Sequence, residues 1–407
     1  MNAASNTVRA DAKQLKHLAL RVNEAIHLAV GFGNTYLITT PEGNVVIDTS
    51  TPEEAQWHAP VLKSVSAAPV RYIVLTHGHR DHTGGIPLWK EPATKIIAQR
   101  QHAELVGYHK RLEDFFARRE EAQFRGSRSA AGTHRGNYSG EIKPSVLVDA
   151  HHRFSLGGTQ FELYHTPGET PDHLTVWVPR YRAAFVGDNY YESFPNLYTL
   201  RGTKPRWALD YVESLNQILA LRPLLLLPGH GRPIHGEVAI ASKLKRYRNA
   251  IQHVHDCVVK GMNEGKSVFE LMSEIRLPPA LEVGEGYGKL TWSIRGIYEG
   301  YAGWFDTDPA TMYEVPASAA YPDIVNLAGG PRAVARLAFQ ALRRGEVVKA
   351  LHLTNMALTG DGANQAALLV RRKALQSLRE QSRNQNERGW LDSSLQTVQR
   401  RLSSRKR

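Results

Sequence analysis

The stretch THGHRDHTGG, residues 76–85, decides how this chain is read. His77 and His79 lie two apart on one side of an extended segment, and Asp81 and His82 follow at once. In a bent loop these two pairs can converge on two neighbouring points. That arrangement suits two metal ions a few ångströms apart, as in dinuclear hydrolases. Imidazole with carboxylate favours zinc, and iron or manganese also fit such donors. VRYIVLTH (70–77) is a short apolar run that reads as a buried strand delivering the histidines at its end.

The same organisation extends outward on both sides. YLITTPEGNVVIDTS (36–50) reads as a hairpin around a Pro-Glu-Gly-Asn turn. Residues 52–65 look helical, KIIAQ (95–99) is a strand, and 101–122 reads as one charged helix. FRGSRSAAGTHRGNYSG (124–140) is a polar Gly/Ser-rich loop that could cover the site. Strands resume between 152 and 187, a helix follows near 207–221, and LLLLPGHG (224–231) closes the mixed part. Each further ligand candidate falls just past a strand end, where a rigid scaffold positions bendable backbone. Beyond about 240 helical periodicity replaces the strand pattern, and 331–380 alternates helix and turn.

Composition bounds the rest. The 407 residues are 42% apolar and 22% charged, enough for a large core and two or three domains. No apolar run approaches the roughly 18 residues of a membrane span. The start has no apolar signal core, so a cytoplasmic location is expected unless a leader has been removed. The lone Cys257 excludes an internal disulfide and any multi-cysteine zinc site. The formal charge of +12, much of it in 109–135 and in RRLSSRKR (400–407), suits an anionic partner. With no nucleic-acid module in view, a small anionic substrate is preferred over specific nucleic-acid binding. GFGNTYL (31–37) opens a strand rather than a helix and is no phosphate loop. Cys257 reads as a structural thiol. His253 and His255, two apart on a helix, cannot easily share a metal. His102, His109 and His134 read as surface histidines.

THGHRDHTGG resembles the signature loop of the metallo-β-lactamase superfamily. HTPGETPDH (165–173), FVGD (185–188) and LLPGHG (226–231) resemble that family's later ligand motifs, in the family's order. The resemblance implies an αβ/βα four-layer sandwich over 1–240, a hydrolase, and two Zn2+ per chain. It implies His77, His79 and Glu169 at one site, Asp81, His82 and His230 at the other, and Asp188 as the bridge. Asp81 and Asp188 are then also the candidate catalytic carboxylates. Glu169 stands where most relatives have a histidine, as in the alkyl sulfatase branch.

NLYTLRGTKPR (196–206) resembles the sulfate-holding signature of type III alkyl sulfatases, which implies Asn196 and Arg201 as substrate-binding residues. TWSIRGIYEGYAGWFDTDP (291–309) and YPDIVNLAGG (321–330) resemble the dimerisation domain of those enzymes. An all-α domain over 241–395, a basic tail at 396–407 and a homodimer are therefore expected. The resemblance implies hydrolysis of an alkyl sulfate to alcohol and sulfate, with water attacking carbon. Two departures stand out. Asp188 occupies a bridging position where that branch carries glutamate, and that branch continues into a lipid-carrier-like domain. A β-lactamase, lactonase, thioesterase or phosphodiesterase on the same fold is the alternative. A binding protein without catalysis is a third reading, against which the complete ligand set argues.

Overall fold

The computed structural model describes residues 18–124 and 143–404. The expected loop at 124–140, including His134, falls almost wholly outside the described residues. Among the described residues thirteen strands form two sheets. The first sheet runs in chain order: β1 (Leu20–Arg21), β2 (Ile26–Ala29), β3 (Thr35–Thr40), β4 (Gly43–Ile47), β5 (Val70–Val74), β6 (Lys95–Gln99) and β7 (Val146–Val148). The second holds β8 (His151–Leu156), β9 (Thr159–His165), β10 (Leu174–Val178), β11 (Ala183–Gly187), β12 (Leu225–Pro228) and β13 (Ile234–His235), also neighbouring in chain order. Both sheets are mixed: β4, β5, β6 and β7 are parallel, as are β11 and β12.

Side-chain alternation explains the layers. Successive strand residues face opposite ways. On β3 and β4, Tyr36, Ile38, Val45 and Ile47 face the second sheet, where they meet Phe161, Leu163, Val176 and Phe185 in one apolar cluster. Between them, Leu37 and Val46 face the other way and pack with Ala59 and Leu62 of the helix Pro52–Lys63. On the second sheet, Trp177, Ala184 and Val186 turn outward. They pack against Tyr211 and Leu215 of the helix Ala208–Ala220 and Leu244 and Ile251 of the helix Glu237–Asn263. The order helix, sheet, sheet, helix is the expected αβ/βα sandwich. The helix Pro52–Lys63 begins where the sequence allows: Thr51 caps it by accepting from Glu54 N–H, and Pro52 stands in the first turn.

The chain divides into two compact units, 1–117 with 132–300 and 118–131 with 301–407. The first unit therefore carries the helices at 237–263 and 268–274 as well as the sandwich, beyond the limit near 240 at which strand pattern ends. The second unit consists largely of helices at Tyr321–Leu327, Pro331–Arg343, Val347–Gly360, Gln365–Gln381 and Gln385–Ser403. Val334, Ala335, Ala357 and Ala367 form one of its cores, and Leu368, Leu375 and Val398 another. Residues 396–403, expected as tail, continue the last helix. The charged helix expected over 101–122 is two, His102–Arg111 and Glu113–Gln123, separated at Leu112.

Candidate metal centre

Five loops at strand ends build the site. Asp48 follows β4, the His77–His82 segment follows β5, Glu169 lies between β9 and β10, Asp188 follows β11, and His230 follows β12. Because β4 and β5 run parallel and adjacent, their ends emerge side by side. The same holds for β11 and β12. Within the histidine segment, Arg80–Thr83 turns into a single helical turn with His79 at its N-cap, which separates Asp81 and His82 from His77.

All seven expected ligands come together. Three groups have donor atoms mutually within 4.8 Å: His77 with His82 and Asp188; Asp81 with His82 and His230; His79 with Glu169 and Asp188. Asp188 lies among them, with Oδ2 at 3.1 Å from His230 Nε2 and Oδ1 at 3.2 Å from His82 Nε2. His77 Nε2 and His79 Nδ1 are 2.9 Å apart. His82 Nε2, Asp188 Oδ1 and Glu169 Oε2 are buried yet make no aligned hydrogen bond among the described residues. Donor atoms gathered this closely, three of them buried without a hydrogen bond, are what a cation needs, and buried polar atoms are seldom left this way otherwise. The donor set therefore fits divalent metal.

The backbone must come close for this to happen. A Cβ on Gly229 would sit 2.6 Å from Asp188 Oδ1 and 2.7 Å from His82 Cε1. A Cβ on Gly33 would sit 1.9 Å from the Asp81 carbonyl oxygen. Glycine at both places lets a loop press on the ligand shell.

Electrostatics separate the histidines into two kinds. Burial, with His82 beside it, holds His77 well below the ordinary imidazole range. Burial and His77 do the same for His79, and the guanidinium groups of Arg201 and Arg206 add to the effect. For His82 burial acts downward, but Asp188, Asp81 and Asp48 overcome it and hold the ring well above its usual range. His230 is held up at about 9 by Asp188 against the same burial. Burial pushes Glu169 up to about 7 against the pull of Arg206.

Four residues around this shell had escaped the sequence reading. Asp48 is 2% exposed and accepts from Thr76 N–H at 2.8 Å, Thr76 Oγ1 at 2.7 Å and His82 Nδ1 at 2.8 Å. It thereby fixes which nitrogen of His82 faces the cluster. His173 accepts from Asp188 N–H through Nε2 at 3.2 Å, and its ring stacks on His77 at 5.3 Å. Tyr211 donates its hydroxyl to the Asp188 carbonyl at 2.8 Å. Arg206 pairs with Glu169 Oε2 at 2.5 Å. The signals were present: Asp48 ends a strand as Asp188 does, and His173 and Arg206 close quoted motifs.

Asn196 is buried, with its N–H donating to Tyr191 Oη at 2.7 Å and its carbonyl accepting from Arg206 Nη1 at 2.8 Å. One guanidinium thus joins the Asn196 backbone to Glu169. Arg201 is half-buried, and its charge acts on both His79 and Glu169. The reading of His102 and His109 as surface residues is corrected: they are 1% and 3% exposed. Each faces inward from the helix His102–Arg111. His102 Nδ1 lies 3.0 Å from Asp172 Oδ2, and the His109 ring lies 6.0 Å from that of His79.

Comparison with known proteins accords with this geometry. Residues 28–230 match the metallo-beta-lactamase superfamily and residues 267–400 match the alkyl sulfatase dimerisation family. The chain carries a metallo-β-lactamase domain followed by an alkyl sulfatase dimerisation domain. It is 28% identical over 379 residues to a linear primary-alkylsulfatase of a Pseudomonas strain, covering 87% of this chain and 72% of the relative. It is 26% identical to an alkyl/aryl-sulfatase of Saccharomyces cerevisiae, over 84% of this chain and 58% of that protein. The solved structure of a stereoselective inverting sec-alkylsulfatase from Pseudomonas superposes with a TM-score of 0.85 at 23% identity, which speaks to fold. That match covers 94% of this chain and 65% of the other, so the chain spans about two thirds of it. Among the described residues no helix is long and apolar enough to cross a membrane.

Proposed function

We propose that this chain hydrolyses alkyl sulfate esters at a dinuclear metal site. The observation that carries the reading is the convergence of His77, His79, Asp81, His82, Glu169, Asp188 and His230, with Asn196 and Arg201 alongside. The similarity to alkyl sulfatases over most of the chain supports it. His77, His79 and Glu169 would hold one ion, Asp81, His82 and His230 the other, and Asp188 would serve both. Zinc suits these donors best, with iron or manganese as substitutes. Such a pair of ions supplies a strong nucleophile at neutral pH and neutralises charge on a leaving oxygen.

The protein's own groups supply the rest. Arg201 offers a two-pronged guanidinium, and Asn196 an amide, to hold a tetrahedral anion in register. Asp48 orients the His82 ring, and Tyr211 and His173 hold the Asp188 backbone on its carbonyl and N–H sides. Residues 1–240 would then form the catalytic part and the later helices the dimerising part. In support of a homodimer, large apolar side chains stand open in the second unit: Trp304 at 75%, Tyr313 at 67% and Leu327 at 90% exposure. Within the aromatic stretch 291–304, Ile294 and Ile297 are already buried in the chain's own core. The partner's contact would therefore begin at Tyr301.

A substrate panel tests the reading. Metal-loaded protein should release sulfate, read by ion chromatography, from alkyl sulfates of short to medium chain. No sulfate from any of them, with turnover of a chromogenic cephalosporin, a lactone or a phosphodiester, would assign the alternative hydrolase.

A further inference from the structure

Arg206 closes the stretch NLYTLRGTKPR and is buried to 1% exposure beside the metal-ligand cluster. An arginine so deep must have its donors met. Only Nη1 is engaged: it donates to the Asn196 carbonyl at 2.8 Å and is ion-paired with Glu169 Oε2 at 2.5 Å. Nε and Nη2, with three N–H bonds between them, are buried and have no hydrogen-bond partner among the described residues. These two nitrogens form the guanidinium edge whose parallel N–H bonds match two oxygens of a carboxylate, sulfate or phosphate. Among the described residues no carboxylate takes that edge. Its ion pair with Glu169 Oε2 puts the guanidinium on the Glu169 side of the site.

Glu169 makes this arrangement necessary. A glutamate where a histidine could stand adds one negative charge to the ligand shell and would weaken the attraction for an anionic ester. Arg206 returns one positive charge at 2.5 Å from that carboxylate. Glu169 and Arg206 together therefore leave the site as receptive to anions as a neutral histidine would, with a fork of donors added.

We propose that Arg206 is a second anion-gripping residue of this site, holding the departing sulfate oxyanion through Nε and Nη2 while Nη1 fixes Glu169. This rests on the sulfatase reading for the identity of the anion, though the grip itself serves any tetrahedral oxyanion. Arg201 and Arg206 would then hold the anion from two points of one loop.

The experiment compares metal-loaded wild type with Arg206→Lys and Arg206→Met, using inorganic sulfate as the probe. Bound metal is counted by elemental analysis, folding by thermal melt, and sulfate binding by calorimetry. Arg206→Lys keeps the charge beside Glu169, so it should retain metal and fold. It should weaken sulfate binding by roughly tenfold or more, because lysine cannot present two parallel donors. The KM for an alkyl sulfate should rise in step. Sulfate bound by Arg206→Lys as tightly as by wild type overturns the grip. Parallel loss of metal and sulfate in Arg206→Lys also overturns it, leaving Arg206 as a positioning residue for Glu169. The two readings fail separately. Wild type that binds sulfate through Arg206 but cleaves no alkyl sulfate defeats only the substrate assignment. Wild type that cleaves alkyl sulfates while Arg206→Lys is unaffected defeats only the grip.

Discussion

Asp48→Asn separates the charge of the buried carboxylate from its shape. Asp48 has a left-handed backbone, with φ at 54°. Asparagine tolerates that conformation where alanine would not, so the substitution adds little backbone strain. What changes is the hydrogen bonding. The carboxylate accepts three bonds, from Thr76 N–H, Thr76 Oγ1 and His82 Nδ1. An amide has one oxygen, so its NH2 must face either the Thr76 N–H or the His82 Nδ1–H. In the first case a buried backbone donor is opposed by another donor. In the second, His82 must shift its proton to Nε2, the atom that lies 3.2 Å from Asp188 Oδ1 and belongs to the ligand cluster. Losing one charge-assisted bond in the interior costs about 1.5–3 kcal/mol. Outer-shell partners of a metal-bound histidine contribute about 10–100-fold in metal affinity. Urea denaturation of metal-stripped protein should therefore show Asp48→Asn destabilised by about 2 kcal/mol. Competition with a chelator of known affinity should show at least tenfold weaker metal binding. A variant within about 0.5 kcal/mol of wild type, with unchanged metal affinity, would refute the assigned role of Asp48.

Gly33→Ala places a methyl 1.9 Å from the Asp81 carbonyl oxygen, which is backbone and cannot swing away. Displacement of the Asp81 loop should cut bound metal and lower the melting temperature by several degrees. Wild-type metal content would show that the loop has slack. Arg201→Lys keeps the charge but loses the fork, and kcat/KM for an alkyl sulfate should fall by at least about tenfold, with an uncharged ester much less affected. Equal loss on both substrates would make Arg201 a structural ion-pair partner. Light scattering at micromolar concentration should give twice the chain mass of 45.4 kDa, and Trp304→Glu should shift it toward the monomer. A monomeric wild type would count against the dimer.

The sandwich and the ligand shell were legible for a physical reason. Strands such as β3 and β4 alternate their apolar faces strictly, and a histidine pair two apart after a buried strand has few other uses. Residues acting through another residue were harder to see. Asp48 looks like any aspartate at a strand end until the fold brings His82 to 2.8 Å. Arg206 was visible inside a quoted motif, but its burial and its pairing with Glu169 depend on two loops 37 positions apart in the chain meeting in space. His102 and His109 were read as surface residues because their neighbours are basic. Seven positions apart on one helix, they share its buried face, and only that periodicity hinted at it. The end of strand pattern near 240 marks a change of secondary structure. Packing continues past it, since Leu244, Ile251 and Val258 close the outer face of the second sheet.

The most direct test is to titrate zinc into metal-stripped protein while reading bound metal and sulfate release from one alkyl sulfate in the same samples. Activity should be near zero in the stripped protein, stay low until the first ion is bound, and rise to its plateau as occupancy approaches about two ions per chain. Sulfate release at full rate from stripped protein, or a plateau at one ion per chain, would contradict a dinuclear sulfatase.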